Sequence, residues 1–233
     1  MNSNVGATHK EKNIYLWLTK FTNRNKKPEK TFCGTESRSL RTPSTDTTKH
    51  IATMNHPIRF TTPEEAVKVI KSGDHVHLSS VASVPQILVR AMTARGEAGE
   101  LQHVHIHHLH TEGEALYAVP EMEGIFQLDS FFVGGNVRNI TQQGFADYIP
   151  VFLSETQRLY RDGILPCNVA MIQVSTPDRH GYVSLGTSVD ATLAAVECAD
   201  TVIAVVNRHV PRSFGDSFIH TSQIDLFVED DTP

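Results

Sequence analysis

The sequence predicts an α/β protein built on an open, mostly parallel sheet with helices on both faces. Three observations carry this expectation. From residue 58 onward, strand-like and helix-like segments alternate, which is the pattern of repeated βαβ units. Val169–Val174 and Thr201–Val206 are almost continuous apolar runs, as strands covered on both faces require. Small or polar residues follow the strand segments at once: Ser79 to Ser83, Thr111-Glu112-Gly113, Gly134-Gly135-Asn136, Ser175 to Asp178 and Asn207-Arg208-His209. Those positions are where such sheets take their ligands.

The elements follow in order. Thr62-Pro63-Glu64-Glu65 is a helix start, with a hydroxyl cap, Pro in the first turn and Glu three residues after the cap. Ala66, Val67 and Ile70 give that helix one apolar side, and Gly73 ends it. His75 to Leu78 reads as a strand, and Gln86 to Arg95, opened by Pro85, as a helix with Ile87, Leu88 and Met92 inward. His103 to His110 and Phe131-Phe132-Val133 read as strands. A polar helix follows near Arg138 to Gln143, then a strand at Tyr148 to Leu153 and a helix at Ser154 to Tyr160. The Ala-rich Val189 to Cys198 is the helix between the two apolar strands, which are expected centrally.

Charge divides the chain. Residues 1–50 hold ten Lys/Arg against four Asp/Glu, and the remainder eleven against twenty-two. An acidic body argues against nucleic-acid binding. No apolar run has the length of a membrane span. Cys33, Cys167 and Cys198 are odd in number and form no C-x-x-C pair, which points to a reducing, cytoplasmic home and to packing roles for the thiols. Residues 1–54 read as a disordered leader or tail, with organelle transit peptide and translated leader as open readings. Residues 55–233 form the predicted domain.

Several motifs invite chemistry. Ser79 to Pro85 is a strand, a small-residue loop and a helix start, a geometry that can present N–H groups to an anion or a thioester oxygen. Neither G-x-G-x-x-G nor a Walker A string is present. Gly134-Gly135 gives the backbone latitude ahead of Arg138, which reads either as a bidentate partner for a carboxylate or phosphate or as a solvated side chain in a turn. Among five closely spaced histidines, His103, His105 and His107 point to one strand face, and His108 and His110 to the other. Three along one strand stand too far apart for one ion, and neither Cys nor Asp is expected nearby, so no metal is predicted. Ser217 and His220 are sequence neighbours without the arrangement of a hydrolase triad.

The stretch Leu165 to Glu229 resembles the first half of the acetyl-CoA hydrolase/transferase family, the group of 4-hydroxybutyrate, butyrate and acetate CoA-transferases. The likeness extends over roughly residues 58–229. It includes Pro120 to Gly124, Phe132 to Arg138, Tyr148-Ile149-Pro150 with Leu153-Ser154-Glu155, Gln173-Val174-Ser175, Asp178 to Tyr182, Ser184-Leu185-Gly186, and Pro211-Arg212 with Gly215 to His220. The resemblance implies CoA transfer between an acyl-CoA and a short-chain carboxylate, with coenzyme A as substrate and no tightly bound cofactor. It implies a glutamyl-CoA thioester whose glutamate lies in the second half, so this chain alone is expected to be inactive. Within this chain it assigns no catalytic residue. Glu112, in a local H-T-E string, is the only substitute. It implies that Ser80, Val81, Ala82, Ser83, Gly134, Gly135 and Asn136 line the acyl end of the pocket. The partner is a C-terminal half or separate chain, and homo-oligomerisation is open. A non-enzymatic acyl-CoA-binding or interaction module is the reading from another class.

Overall fold

The computed structural model describes residues 58–233. The leader expected over residues 1–54 lies outside them, as does Cys33. The described residues form a seven-stranded, wholly parallel sheet, together with a two-stranded antiparallel ribbon. In chain order the elements are α1 (Pro63–Ala66), β1 (His75–Leu78), α2 (Gln86–Glu97), β2 (Val104–His108), β3 (Phe126–Ser130), α3 (Arg138–Gln142), β4 (Ala146–Tyr148) and α4 (Thr156–Arg161). They continue with β5 (Val169–Val174), β6 (Tyr182–Ser184), α5 (Thr192–Cys198), β7 (Thr201–Val206), β8 (Phe218–His220) and β9 (Leu226–Glu229). The sheet order is β4-β3-β2-β1-β5-β7-β9, and β6 pairs β8 in the ribbon.

The expected fold class is therefore present. The two apolar strands, β5 and β7, pair along their full length and are both interior, while β1 occupies the middle of the seven. Alternation sorts the side chains. Val76, Leu78, Val104, Ile106, Leu128, Val169, Met171, Ile203 and Val205 lie in the main core. Ala66, Val67 and Ile70 join it from the first helical segment, and Leu88, Val89 and Met92 from α2. The opposite face carries Ala170, Ile172, Val202 and Ala204 together with His75, His77, His105, His107 and Asp129. There α4 and α5 cover the β1–β5 region, with the Tyr160 hydroxyl 2.9 Å from His77 Nδ1 and Thr192 Oγ1 3.2 Å from His77 Nε2.

Local chemistry explains most boundaries. Thr62 Oγ1 accepts the Glu65 N–H at 3.2 Å, as the sequence suggested, but the helix tightens after one turn into a 3-10 segment, Val67–Val69. Three expectations are corrected. The third strand is Phe126–Ser130, not Phe131–Val133, which is the loop after it. Its half-polar alternation, with Gln127 and Asp129 on one side, is weaker to the eye than the Phe-Phe-Val triplet. The strand near residue 148 is Ala146–Tyr148 and stops where Pro150 denies a ladder donor. His103 stands ahead of β2 with φ 54° and is not a strand residue. The ribbon β6–β8 and the edge strand β9 are additions that the sequence reading lacked.

Candidate functional site

The chain leaves β1 for β2, β3 and β4 on one side and returns to place β5 on the other. The sheet order thus reverses between β1 and β5, and the carboxyl ends of those strands flank the crevice where open α/β sheets bind ligands. The loop after β1 enters it. Ser80 and Ser83 are buried, whereas Val81 and Ala82 are exposed. A turn closes the loop, with Ser83 N–H donating to Ser80 O at 3.0 Å. The Ser79 and Ser80 hydroxyls are buried and make no hydrogen bond among the described residues, an uncommon state for buried polar groups.

Val81 is the strained point of this loop. Its φ is 54°, a left-handed conformation that is an outlier for a β-branched residue. Neighbouring backbone holds it there: Val81 N–H donates to His110 O at 2.6 Å, and Glu112 N–H donates to Val81 O at 3.4 Å. The loops after β1 and β2 are thereby stitched together by a short parallel bridge between Val81 and Thr111.

The loop after β3 completes the arrangement. Asn136 Nδ2 donates to Thr111 Oγ1 at 3.2 Å and to Gly113 O at 3.3 Å. Gly134 is buried against the His110 ring, and a Cβ there would stand 2.5 Å from His110 Cδ2. Glycine is therefore required at 134 by close approach, not by its φ. Gly135 has open space around it. The seven expected pocket residues thus fall in two loops joined through His110, Thr111 and Gly113. Thr111, in a strand-end loop that the sequence marked as a ligand-binding position but outside the expected pocket residues, is the hub. Glu112 is exposed, with Oε1 3.4 Å from His110 Nε2, and its backbone carbonyl accepts from Gln86 Nε2.

On the β5 side, Arg212 ties the following loop to the ribbon. It donates to Thr176 O at 3.1 Å, to Tyr182 O at 3.2 Å and to Asp178 Oδ2 at 3.1 Å, and it lies over the Phe218 ring. Ser217 is spent structurally, donating to Ser213 O and meeting Ser184 Oγ at 3.1 Å. No triad geometry links it to His220, whose Nδ1 faces Ser222.

The histidines behave otherwise than a single strand suggests. His108 is on the core face, beside Tyr117, and burial pushes its pKa down to about 3. His105 and His107 share the opposite face with His75 of β1 and Asp129 of β3. An aspartate does stand nearby, correcting the expectation that none would. It was hidden because the neighbour is supplied by strand register, not by sequence proximity. Asp129 Oδ2 lies 2.8 Å from His105 Nδ1 and 3.4 Å from His107 Nε2. Burial disfavours the Asp129 carboxylate, but hydrogen bonds from His105 and His107 outweigh that and bring its pKa to about 2. The bond to Asp129 raises the pKa of His105, while burial lowers that of His75 to about 4 and of His77 to about 3.

Residues 45–233 match the family model described as the acetyl-CoA hydrolase/transferase N-terminal domain. The succinyl-CoA:acetate/propanoyl-CoA:succinate CoA transferase of Fasciola hepatica is 38% identical over 161 residues, which is 69% of this chain and 33% of that protein. The 4-hydroxybutyrate coenzyme A transferase of Clostridium kluyveri is 39% identical over 175 residues, 75% of this chain and 40% of that protein. Among solved structures, RipA from Yersinia pestis superposes with a TM-score of 0.69 at 29% identity, covering 75% of this chain and 43% of that one. The chain thus spans between 33% and 40% of the length of these two curated relatives.

Proposed function

The chain belongs to the acetyl-CoA hydrolase/transferase family, and from that premise we propose that it supplies one half of a CoA-transferase active site. The reaction moves CoA between an acyl-CoA and a short-chain carboxylate such as acetate, butyrate or 4-hydroxybutyrate. A glutamate carboxylate from a second half attacks the thioester carbonyl and the thiolate leaves. The thiolate then takes the glutamyl carbonyl, releasing the first carboxylate and leaving a glutamyl-CoA thioester. The acceptor carboxylate reverses these steps. Covalent catalysis of this kind divides one difficult exchange into easier ones.

The observation that carries this reading for the present half is the interlocked pair of loops beside the order reversal of the sheet. Ser80 to Ser83 and Gly134 to Asn136 are joined through Thr111. In the proposed role they wall the acyl end, with exposed Val81 and Ala82 facing the chain of the substrate. The hydroxyls of Ser79 and Ser80, unpartnered among the described residues, are donors in reserve for a carboxylate or thioester oxygen. Exposed Phe132, Tyr148, Phe152 and Leu153, following or ending β3 and β4, form apolar surface suited to cover by a second half. Among the described residues no helix is long and apolar enough to cross a membrane. A cytoplasmic home is part of the proposal.

The test mixes the purified chain with a separately produced C-terminal CoA-transferase half and follows CoA exchange between butyryl-CoA and acetate, with borohydride trapping of the thioester. Exchange is expected only in the mixture, with the trapped glutamate on the added half. Robust turnover by this chain alone, or trapping at Glu112, would overturn the reading. So would tight CoA binding by the isolated chain with no activity in the mixture, which would make it a binding module.

A further inference from the structure

Three adjacent parallel strands bring four metal-type donors to one place. β1 supplies His75, β2 supplies His105 and His107, and β3 supplies Asp129. The register sets His75 opposite His105 and His107 opposite Asp129, so the four side chains occupy a two-by-two patch of one sheet face. His75 Nδ1 is 3.1 Å from His107 Nε2. That atom is 3.4 Å from Asp129 Oδ2, which in turn is 2.8 Å from His105 Nδ1. The donor atoms of the three histidines all lie within 4.8 Å of one another. A tetrahedral ion with bonds of about 2.0–2.1 Å needs donors separated by about 3.4 Å. The 3.4 Å and 3.1 Å separations are near that edge and the 2.8 Å one is shorter, so the half-exposed His105 ring, stacked on His75 with centroids 4.4 Å apart, must turn to meet the ion.

The surroundings fit. The Phe131 and Tyr160 rings lie 6.3 Å and 6.2 Å from the His107 ring and form an apolar wall on its buried side. His75 and His105 are half-exposed and leave an entry path. Asn168 Oδ1 accepts the His75 backbone N–H at 3.0 Å, fixing the start of β1. Three imidazoles and one carboxylate are a donor set for borderline divalent ions of the first transition row, and the absence of thiolate from the set leaves imidazole to choose among them.

We propose that His75, His105, His107 and Asp129 bind one zinc-class divalent ion, which clasps β1, β2 and β3 together. The ion takes the place of the protons that bridge these atoms in its absence. Its role is structural: it pins β1, β2 and β3 together on the face where α4 and α5 cover the β1–β5 region, and it takes no part in the transfer reaction proposed above.

The test uses the full chain, stripped with a chelator and titrated with cobalt(II) and zinc(II) salts alone. One equivalent of cobalt is expected to give the visible bands of a four-coordinate site, which zinc then displaces. Saturating zinc is expected to raise Tm by several degrees, and chelator to reverse the rise. His107→Ala removes a wholly buried ring, so the isosteric Asp129→Asn and the surface-side His105→Gln accompany it, each checked for native circular dichroism. Each folded variant is expected to bind zinc at least about tenfold more weakly, whereas His180→Ala is without effect. The proposal fails if the native chain takes up no ion or gains no thermal stability. It fails equally if stoichiometric binding survives in the Asp129→Asn/His105→Gln pair, which would locate the ion on other histidines.

Discussion

Asn136 and Thr111 lie 25 residues apart and on loops that follow different strands, yet the Asn136 side-chain amide donates to the Thr111 hydroxyl at 3.2 Å. With its second bond to Gly113 O, this amide is the tie between the loop after β3 and the loop after β2. Asn136→Ala should cost about 1–2 kcal/mol, the loss of two partly solvated hydrogen bonds, measured as a fall in denaturant midpoint. Amide exchange at residues 111–113 and 134–136 should accelerate while β5 and β7 stay protected. Uniform acceleration would show that the bond does not act locally.

Val81→Gly should stabilise the protein. The left-handed backbone costs a non-glycine residue about 1–2 kcal/mol, and glycine adds about 0.5–1 kcal/mol of entropy to the unfolded chain. Val81 is 40% exposed, so little burial is lost. The net expectation is a gain of roughly 0.5–1 kcal/mol by chemical denaturation. A loss would mean that the Val81 side chain packs more productively than its exposure suggests. In the assembled enzyme proposed above, the same change widens the acyl wall and should favour longer acyl chains.

Gly96 is where α2 presses on β3. A Cβ at this position would stand 2.6 Å from Phe126 Cε2 and 2.8 Å from Ile125 Cγ2. Gly96→Ala gains about 1 kcal/mol of helix propensity but overpacks the contact at a cost of about 1–3 kcal/mol, so a net loss of about 1 kcal/mol is expected. Phe126→Leu alone should also destabilise, while the double variant should recover part of the combined loss. Strict additivity in the thermodynamic cycle would show that the two sites do not touch.

The buried His77 depends on Tyr160, whose hydroxyl is 2.9 Å from Nδ1. Tyr160→Phe keeps the ring and removes the partner. Leaving a buried imidazole nitrogen unsatisfied should cost about 1–3 kcal/mol, read by urea denaturation at neutral pH. Thr192→Val should cost less, because its bond to His77 Nε2 is longer, at 3.2 Å.

The interior of the fold was readable because burial leaves a local mark. Val169–Val174 and Thr201–Val206 are apolar at every position but Gln173 and Thr201, as two covered faces demand, and their bounds agree residue for residue with β5 and β7. β1 agrees as well. Where burial is one-sided the reading slipped. In β3 the residues Gln127 and Asp129 interrupt the apolar signal, and the following Phe131-Phe132-Val133 drew the strand to itself. The loops proposed as the pocket were legible as strand-end loops because strand ends and small residues are sequence properties. The union of those loops through Thr111 was not, because it is made by residues far apart in the chain. The clustering of His75, His105, His107 and Asp129 escaped for the same reason: alternation along one strand says nothing about which strand lies next to it.

The pairing of Phe60 with Phe227 has a further consequence. Phe60 forms a parallel bridge to Phe227 of β9, Thr61 N–H donates to Phe227 O at 2.8 Å, and the two phenyl rings meet edge to face. The segment entering the domain thus shields the outer rim of the last strand, which would otherwise offer its backbone to another chain. During synthesis on the ribosome, Phe60 emerges long before Phe227 exists. Until β9 is released, the entering segment lacks its partner strand and β7 has an open flank. A nascent chain that has not yet reached Leu226 would carry two adhesive edges, so the interval before β9 is made is when this domain is most open to edge-to-edge association.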